Sequence, residues 1–430
     1  MLEKLFRISE NKSSVRTEVI AGITTFMTMA YIIIVNPQIL STTGMNFGAL
    51  ITATCLAAGF TTILMAFMAN YPFALAPGMG LNAFFAFTVA VKYGWELALT
   101  AVFVEGIIFI IMSFLKVREA ILDAIPLNLK YAVSAGIGLF IAFIGFVNAG
   151  IVIPNQGTPV TLGNMTSPGV VLALIGLAIT GALLHYKVKG SLFIGILATT
   201  VIGFFFGVTK LPTSIIQTPP SIAEIALAPF NVGWSNIFTF DFIVVIFSFL
   251  FVDVFDTVGT VIGVSSKANM LDKDGKLPRA SQVLLVDAIG TTGGALLGTS
   301  TVTTYVESAS GVAEGGRTGL TSLVTGVLFL VALLFSPIFL VIPAAATAPA
   351  LILVGLFMME PILKINLKDY TEAIPAFLAI VMMPFTYSIS EGIVFGVLSY
   401  TVLKVFAGKF KDVSIIMYIL SVIFILKFIL

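Results

Sequence analysis

Residues 71–89 read YPFALAPGMGLNAFFAFTV, and residues 298–312 read GTSTVTTYVESASGV. Both lie in long apolar runs, and neither can be helical from end to end. In the first, Pro72 and Pro77 remove backbone donors while Gly78 and Gly80 loosen the chain, so the pattern predicts an extended segment and then a helix starting at Asn82, a good N-cap. In the second, Thr299, Thr301, Val302, Thr303, Thr304 and Val306 favour extended chain, and a helix is expected to start between Tyr305 and Ser308. Each half-extended segment thus becomes a half-helix partway along its run.

The composition says where these segments lie. The chain has 430 residues, 58% hydrophobic and 10% charged, with a mean hydropathy of +1.10, which excludes a soluble globular protein. A bilayer-crossing helix needs about 20 apolar residues. Runs of that kind predict fourteen spans, near 17–40, 48–69, 74–91, 96–115, 127–148, 169–185, 191–208, 242–264, 281–297, 304–314, 318–336, 338–359, 373–388 and 391–407. The apolar stretch 413–430 is a further helix lying on or in the membrane. The first run is too long for a signal-peptide core and lacks a cleavage site, so it reads as a retained span.

With the N-terminus cytoplasmic, this count places 19 Lys and Arg on the inside and only Lys92 and Lys210 outside, with Lys427 unassigned. One missed span would scramble that asymmetry. Cys55 is the sole cysteine, so no intrachain disulfide is available. A lone histidine, His185, reads as a residue at a helix end and argues against a histidine-built metal site or haem. The net charge of +1 points to no nucleic-acid partner.

The two broken spans are each third in a run of seven. Matched interruptions in two halves mark the binding site of an inverted-repeat transporter, and an odd number of spans per repeat forces the second copy to be inverted. Non-helical backbone at membrane depth must face protein or a watery cavity.

The acids sharpen this. A carboxylate at the bilayer centre costs roughly 2.5–3.5 kcal/mol even on insertion scales, so each is a functional candidate. Asp253 and Asp256 are three apart, on one face of span 8; Glu307 opens the half-helix of span 10. Glu314, two turns further and beside Arg317, reads as the cytoplasmic end of that half-helix, paired with Arg317. Asp287 and Glu105 read mainly as packing or loop-edge acids. No Lys or Arg lies deep in a span, which suits a cation or a neutral molecule rich in N–H donors and suits an anion poorly.

Four runs, AGITTFMTMAYIIIVNP (21–37), FALAPGMGLNAFFAFTV (73–89), FVDVFDTVGTVIGV (251–264) and TTYVESASGVAEGGRTGLTS (303–322), together resemble the AzgA-like purine permeases, a branch of the nucleobase–cation symporters. The resemblance extends to MMPFTYSISEGIVFG (382–396). It implies an all-α polytopic membrane protein of two inverted seven-span repeats. A core domain would comprise 1–123 and 241–336 (spans 1–4 and 8–11), and a gate domain 124–240 and 337–430 (spans 5–7 and 12–14 with the C-terminal segment). It implies uptake of adenine, guanine or hypoxanthine with a cation, usually a proton, by movement of core against gate, and neither enzymatic activity nor a cofactor. The family's span-3 asparagine falls on Asn82, its span-8 acids on Asp253 and Asp256, and its span-10 acid on Glu307; which aspartate touches the base stays open. Glu307, Asp256 and Asp253 are then the proton-coupling candidates, while Tyr305, Phe73 and the backbone around Val306 would line the cavity. A homodimer through the gate domain is also expected. The alternatives are a uracil or xanthine permease of the sister branch and a sulfate or bicarbonate carrier of the same fold.

The chemistry fits. A purine edge presents adjacent N–H groups that one carboxylate can accept in parallel, and an amide such as Asn82 both donates and accepts. Desolvation favours the protonated form of a buried acid and N–H donors favour the ionised form, so base and proton can be coupled through one carboxylate.

Overall fold

The computed structural model describes residues 2–115, 126–155, 157–212, 214–232, 239–267, 270 and 277–429; within these, the side chains of 114, 115, 240, 254–256, 258, 259, 262, 263, 266, 267 and 427–429 are not described. Among the described residues, nine helices are long and apolar enough to cross a bilayer, and four apolar helices are shorter. The outer surface is itself apolar, with Phe60, Phe67, Phe205, Phe377 and Phe385 exposed, as a lipid-facing surface requires.

A short helix α1 (Leu2–Phe6) leads to α2 (Val15–Met29), capped by the Ser14 side chain accepting from Thr17 N–H. The first span is not one helix. It breaks at Ala30–Tyr31 and resumes as α3 (Ile32–Ser41), with tight i→i−3 bonds from Ile33 and Ile34 across the joint. Pro37 lies inside α3 and has no N–H to offer the carbonyl four residues back, which loosens this stretch.

Next come α4 (Phe47–Met68), strand β1 (Leu75–Pro77), α5 (Met79–Phe84) with a π turn Phe85–Val89, α6 (Ala90–Tyr93) and α7 (Trp95–Leu115). Then follow α8 (Leu127–Asn148), a small hairpin of β2 (Val152–Pro154) and β3 (Val160–Leu162), α9 (Pro168–His185) and α10 (Ser191–Phe205). The second half begins with α11 (Phe240–Lys267), α12 (Ala280–Leu297), strand β4 (Val302–Thr304), α13 (Ser308–Ala313), α14 (Gly319–Ala332) and α15 (Ser336–Leu340). It closes with α16 (Ala344–Met358), α17 (Tyr370–Thr386), α18 (Ile389–Phe406) and α19 (Ile415–Ile429). Each of the fourteen expected spans corresponds to a helix, to two consecutive helices or to a strand followed by helix, with ends shifted by a few residues.

Two bundles emerge from the packing. In one, α4 packs on α3, α12 and α14, α2 on α13 and α14, and α7 on α11 and α12. In the other, α8 packs on α16 and α17, α17 on α18, and α9 on α10 and α16. Close approach in the second bundle needs glycine: a Cβ on Gly138 would lie 2.5 Å from the Gly355 carbonyl oxygen, where only hydrogen fits. The terminal α19 joins the bundles, bonding α18 through Ser421–Thr401 (2.7 Å) and meeting α11 through the Phe424 and Phe247 rings.

Candidate functional site at the crossed strands

Strands β1 and β4 pair antiparallel, with Leu75 opposite Thr304, Ala76 opposite Thr303 and Pro77 opposite Val302. The pairing is extended by Tyr305 N–H donating to Ala74 O (2.9 Å) and Gly78 N–H to Thr301 O (2.9 Å). Outward-pointing groups need other partners, since no water is available at this depth. Thr62 on α4 supplies both for Leu75, donating to its carbonyl (3.0 Å) and accepting from its N–H (2.9 Å). On the other side Thr291 on α12 donates to Val302 O (3.0 Å). Pro77 has no N–H to satisfy, and its carbonyl accepts from the Tyr305 hydroxyl and, at 3.4 Å, from the Asn82 amide. The clamping threonines occupy the second span of each half.

Glu307 caps the start of α13 and is half-buried, with Tyr31 donating its hydroxyl to Oε1 at 2.7 Å. The neighbouring Val306, at the same turn, is 55% exposed. The first-turn N–H groups of α13 are already used in i→i−3 bonds from Ser308, Ala309 and Ser310, so the acceptor offered here is the side chain. Asn82, fully buried, receives the Ser300 hydroxyl on Oδ1. Deeper in the same bundle, Thr301 donates to Glu105 Oε2 (2.9 Å), and Thr257 lies 3.1 Å from Asp253 Oδ1 and 3.0 Å from Asp287 Oδ1. The nearby rings engage each other: Phe84 meets Phe249, and Tyr387 meets Phe87, Phe140 and Phe143 with centroids 5.2–5.9 Å apart.

Several placements differ from the sequence reading. The first half-helix starts at Met79, with Gly78 as its extended N-cap; Asn82 is inside the helix and spends its side chain on Ser300 and Pro77. Phe73 is wholly buried and stacked on Tyr71 (5.2 Å), so it packs beneath the strand and does not open to a cavity. Glu314 pairs with Lys189 of the α9–α10 loop and not with Arg317. Arg317 instead donates to the Val312 and Gly316 carbonyls at the end of α13. Glu105 and Asp287 are fully buried and hydrogen-bonded to the hydroxyls just named, deeper than loop-edge acids would be. The side chain of Asp256 lies outside the described residues.

The sequence reading missed Tyr31 and Glu18. Glu18, fully buried on α2, accepts from Arg317 N–H (2.9 Å), Thr318 N–H (3.2 Å) and the Thr321 hydroxyl (2.6 Å), capping α14 from another helix. An acid near the start of an apolar run was its only signal.

A crossed pair of interrupted spans bearing an acid is thus held within a multi-pass membrane protein, and residues 16–395 match the Permease family. The chain belongs to that family. The adenine permease AdeP of Escherichia coli is 43% identical over 434 residues, covering 99% of this chain and 96% of its own. The guanine/hypoxanthine permease PbuG of Bacillus subtilis is 46% identical over 442 residues, covering 100% and 99%. Among solved structures, the transmembrane domain of a cyanobacterium bicarbonate transporter, BicA, aligns with a TM-score of 0.66 over 89% of this permease and 97% of that chain. At 14% identity that likeness concerns the fold alone.

Proposed function

We propose that this permease imports purine nucleobases, namely hypoxanthine, guanine or adenine, across the cell membrane in symport with a proton. The observation that carries the reading is Glu307: a half-buried acid at the strand–helix turn, one oxygen held by Tyr31, beside Val306, which is 55% exposed. Relatives covering the whole chain are an adenine permease and a guanine/hypoxanthine permease, which supports purine as the ligand class. In this reading Glu307 accepts the N–H groups of the base, with Asn82 and Tyr305 shaping the strand edge beside it. Asp253 and Asp256 serve the coupling proton. The bundle formed by 1–123 and 241–336 moves as the core against 124–240 and 337–430, two inverted repeats giving the antiparallel crossing of β1 and β4 and the matched Thr62 and Thr291 clamps. Positive charge on one side of the spans supports a cytoplasmic N-terminus.

Uptake of labelled hypoxanthine, guanine, adenine, xanthine and uracil by cells lacking their own permeases tests this, with and without a protonophore. The expected outcome is purine uptake that the protonophore abolishes and that Glu307→Gln lacks despite normal insertion. Preference for uracil or xanthine, or no uptake by inserted wild type, overturns the reading.

A further inference from the structure

Thr257 on α11 stands between two acids that are both fully buried, Asp253 one turn earlier on the same helix and Asp287 on α12. A hydroxyl has one proton to give and lone pairs to receive with. Its oxygen lies 3.1 Å from Asp253 Oδ1 and 3.0 Å from Asp287 Oδ1, so it can donate to one carboxylate only. The other oxygen then faces a lone pair, an arrangement that is attractive when that oxygen carries a proton and donates it. Shared donation to two ionised acids would hold two negative charges within two hydrogen-bond lengths at zero exposure, the situation in which like charges force one proton to stay. The elements packed against α12 carry further titratable residues: Glu96 and Glu105 on α7, the latter receiving Thr301, and Cys55 on α4, with Asp241, Asp256 and Lys267 on α11 itself, the side chains of Asp256 and Lys267 lying outside the described residues.

We propose that Asp253, Thr257 and Asp287 form a relay in which one proton is shared by the two acids and passes between them through the Thr257 hydroxyl. The step balances without any other reactant. As Asp287 gives its proton to Thr257 Oγ1, the Thr257 proton leaves for Asp253; one Oδ–H and one Oγ1–H bond break, and one of each forms. Asp287 is then a positioning and proton-storing residue for Asp253, and it touches no substrate. Helix α11 carries the relay to the half-helices, because it packs on α5 and α13 and Phe249, one turn before Asp253, meets Phe84 of α5 at 4.6 Å.

The relay rests on the proton-symport reading, so the test separates the two. Wild type, Asp287→Asn, Thr257→Val and Thr257→Ser are reconstituted in liposomes, and labelled hypoxanthine is followed as exchange at equal concentrations without a gradient and as accumulation driven by an imposed pH gradient. Asp287→Asn, which stays neutral, and Thr257→Val, which cuts the relay, are expected to keep exchange and lose accumulation. Thr257→Ser is expected to keep both. The infrared carbonyl band of a protonated carboxyl in wild type is expected to vanish in Asp287→Asn. Wild type that exchanges hypoxanthine yet ignores the pH gradient overturns the symport reading and the relay with it. A responsive wild type with Asp287→Asn or Thr257→Val accumulating equally well overturns the relay alone. So does loss of exchange in folded Thr257→Val, which would make the cluster structural; this pair decides the matter if Asp287→Asn fails to insert.

Discussion

At the residue scale, the acid was legible and what holds it was not. Glu307 stands out because a carboxylate in an apolar run demands a reason. Tyr31 is one aromatic among many in the sequence, and its partner lies 276 positions away, so only the fold reveals that the joint between α2 and α3 aims its hydroxyl at Glu307. A hydrogen bond to a charged group contributes roughly 1.5–3 kcal/mol, where 1.4 kcal/mol is tenfold in affinity. Tyr31→Phe keeps the ring that packs at 1% exposure and removes only the donor. Its Michaelis constant for purine is expected to rise about tenfold or more with insertion and maximal rate little changed. An unchanged Michaelis constant would show that Glu307 is held without Tyr31. Phe73 differs: its ring partner Tyr71 is only two positions away, yet its full burial is a packing outcome that no local pattern announces.

At the scale of elements, both broken spans could be read from local chemistry, because proline and β-branched residues exclude helix whatever surrounds them. The point where helix resumes could not. Asn82 is a good cap locally, yet Ser300, 218 positions away, takes its side chain, and the helix starts three residues earlier behind Gly78. The strand pair is stable at membrane depth only because its outer edges are served by threonines, and these differ in how much they serve. Thr62 satisfies two backbone groups and Thr291 one. At about 1–3 kcal/mol per buried group left unpaired, Thr62→Val is expected to lower the melting temperature in detergent more than Thr291→Val. Equal shifts would mean that the strand edge finds substitute partners. Helix α14 makes a similar case. Its N-terminal N–H groups go to Glu18, to the Thr318 side chain and to Asn70 Oδ1 at 2.7 Å, so Glu18→Ala orphans two backbone donors at once, while the Thr321 hydroxyl keeps the Glu18 carbonyl at 3.3 Å. Destabilisation of about 3 kcal/mol or more is expected by denaturant unfolding in detergent, and a loss below about 1 kcal/mol would show that water replaces the carboxylate.

At the scale of the whole molecule, the two bundles touch at both ends of the first span, and the relative motion proposed above would have to break one set of contacts at a time. At one end Gln38 of α3 donates to Ile342 O (3.4 Å) and receives the Thr347 hydroxyl of α16. At the other, the turn after α9 presses on α2: Gly190 adopts φ +72°, and a Cβ there would lie 2.9 Å from the Met27 carbonyl oxygen. Beside it Lys189 pairs with Glu314, the residue that ends the second half-helix, so the pair ties the site-bearing element directly to the opposite bundle. With side chains 54% and 27% exposed, such a pair contributes about 0.2–1 kcal/mol, too little to set stability but enough to shift a conformational equilibrium by up to about fivefold. Lys189→Glu and Glu314→Lys are each expected to loosen that end, and the double reversal to restore it. Thiol labelling can read this cleanly, because Cys55 is the sole cysteine and is buried, so Val306→Cys in a Cys55→Ser background reports the exposure of the turn next to Glu307. Each single reversal should change the labelling rate in the same direction, and the double reversal should return it to the starting value. A double variant that labels as the sum of the two singles would mean that the charges act separately and that Lys189–Glu314 is not the latch.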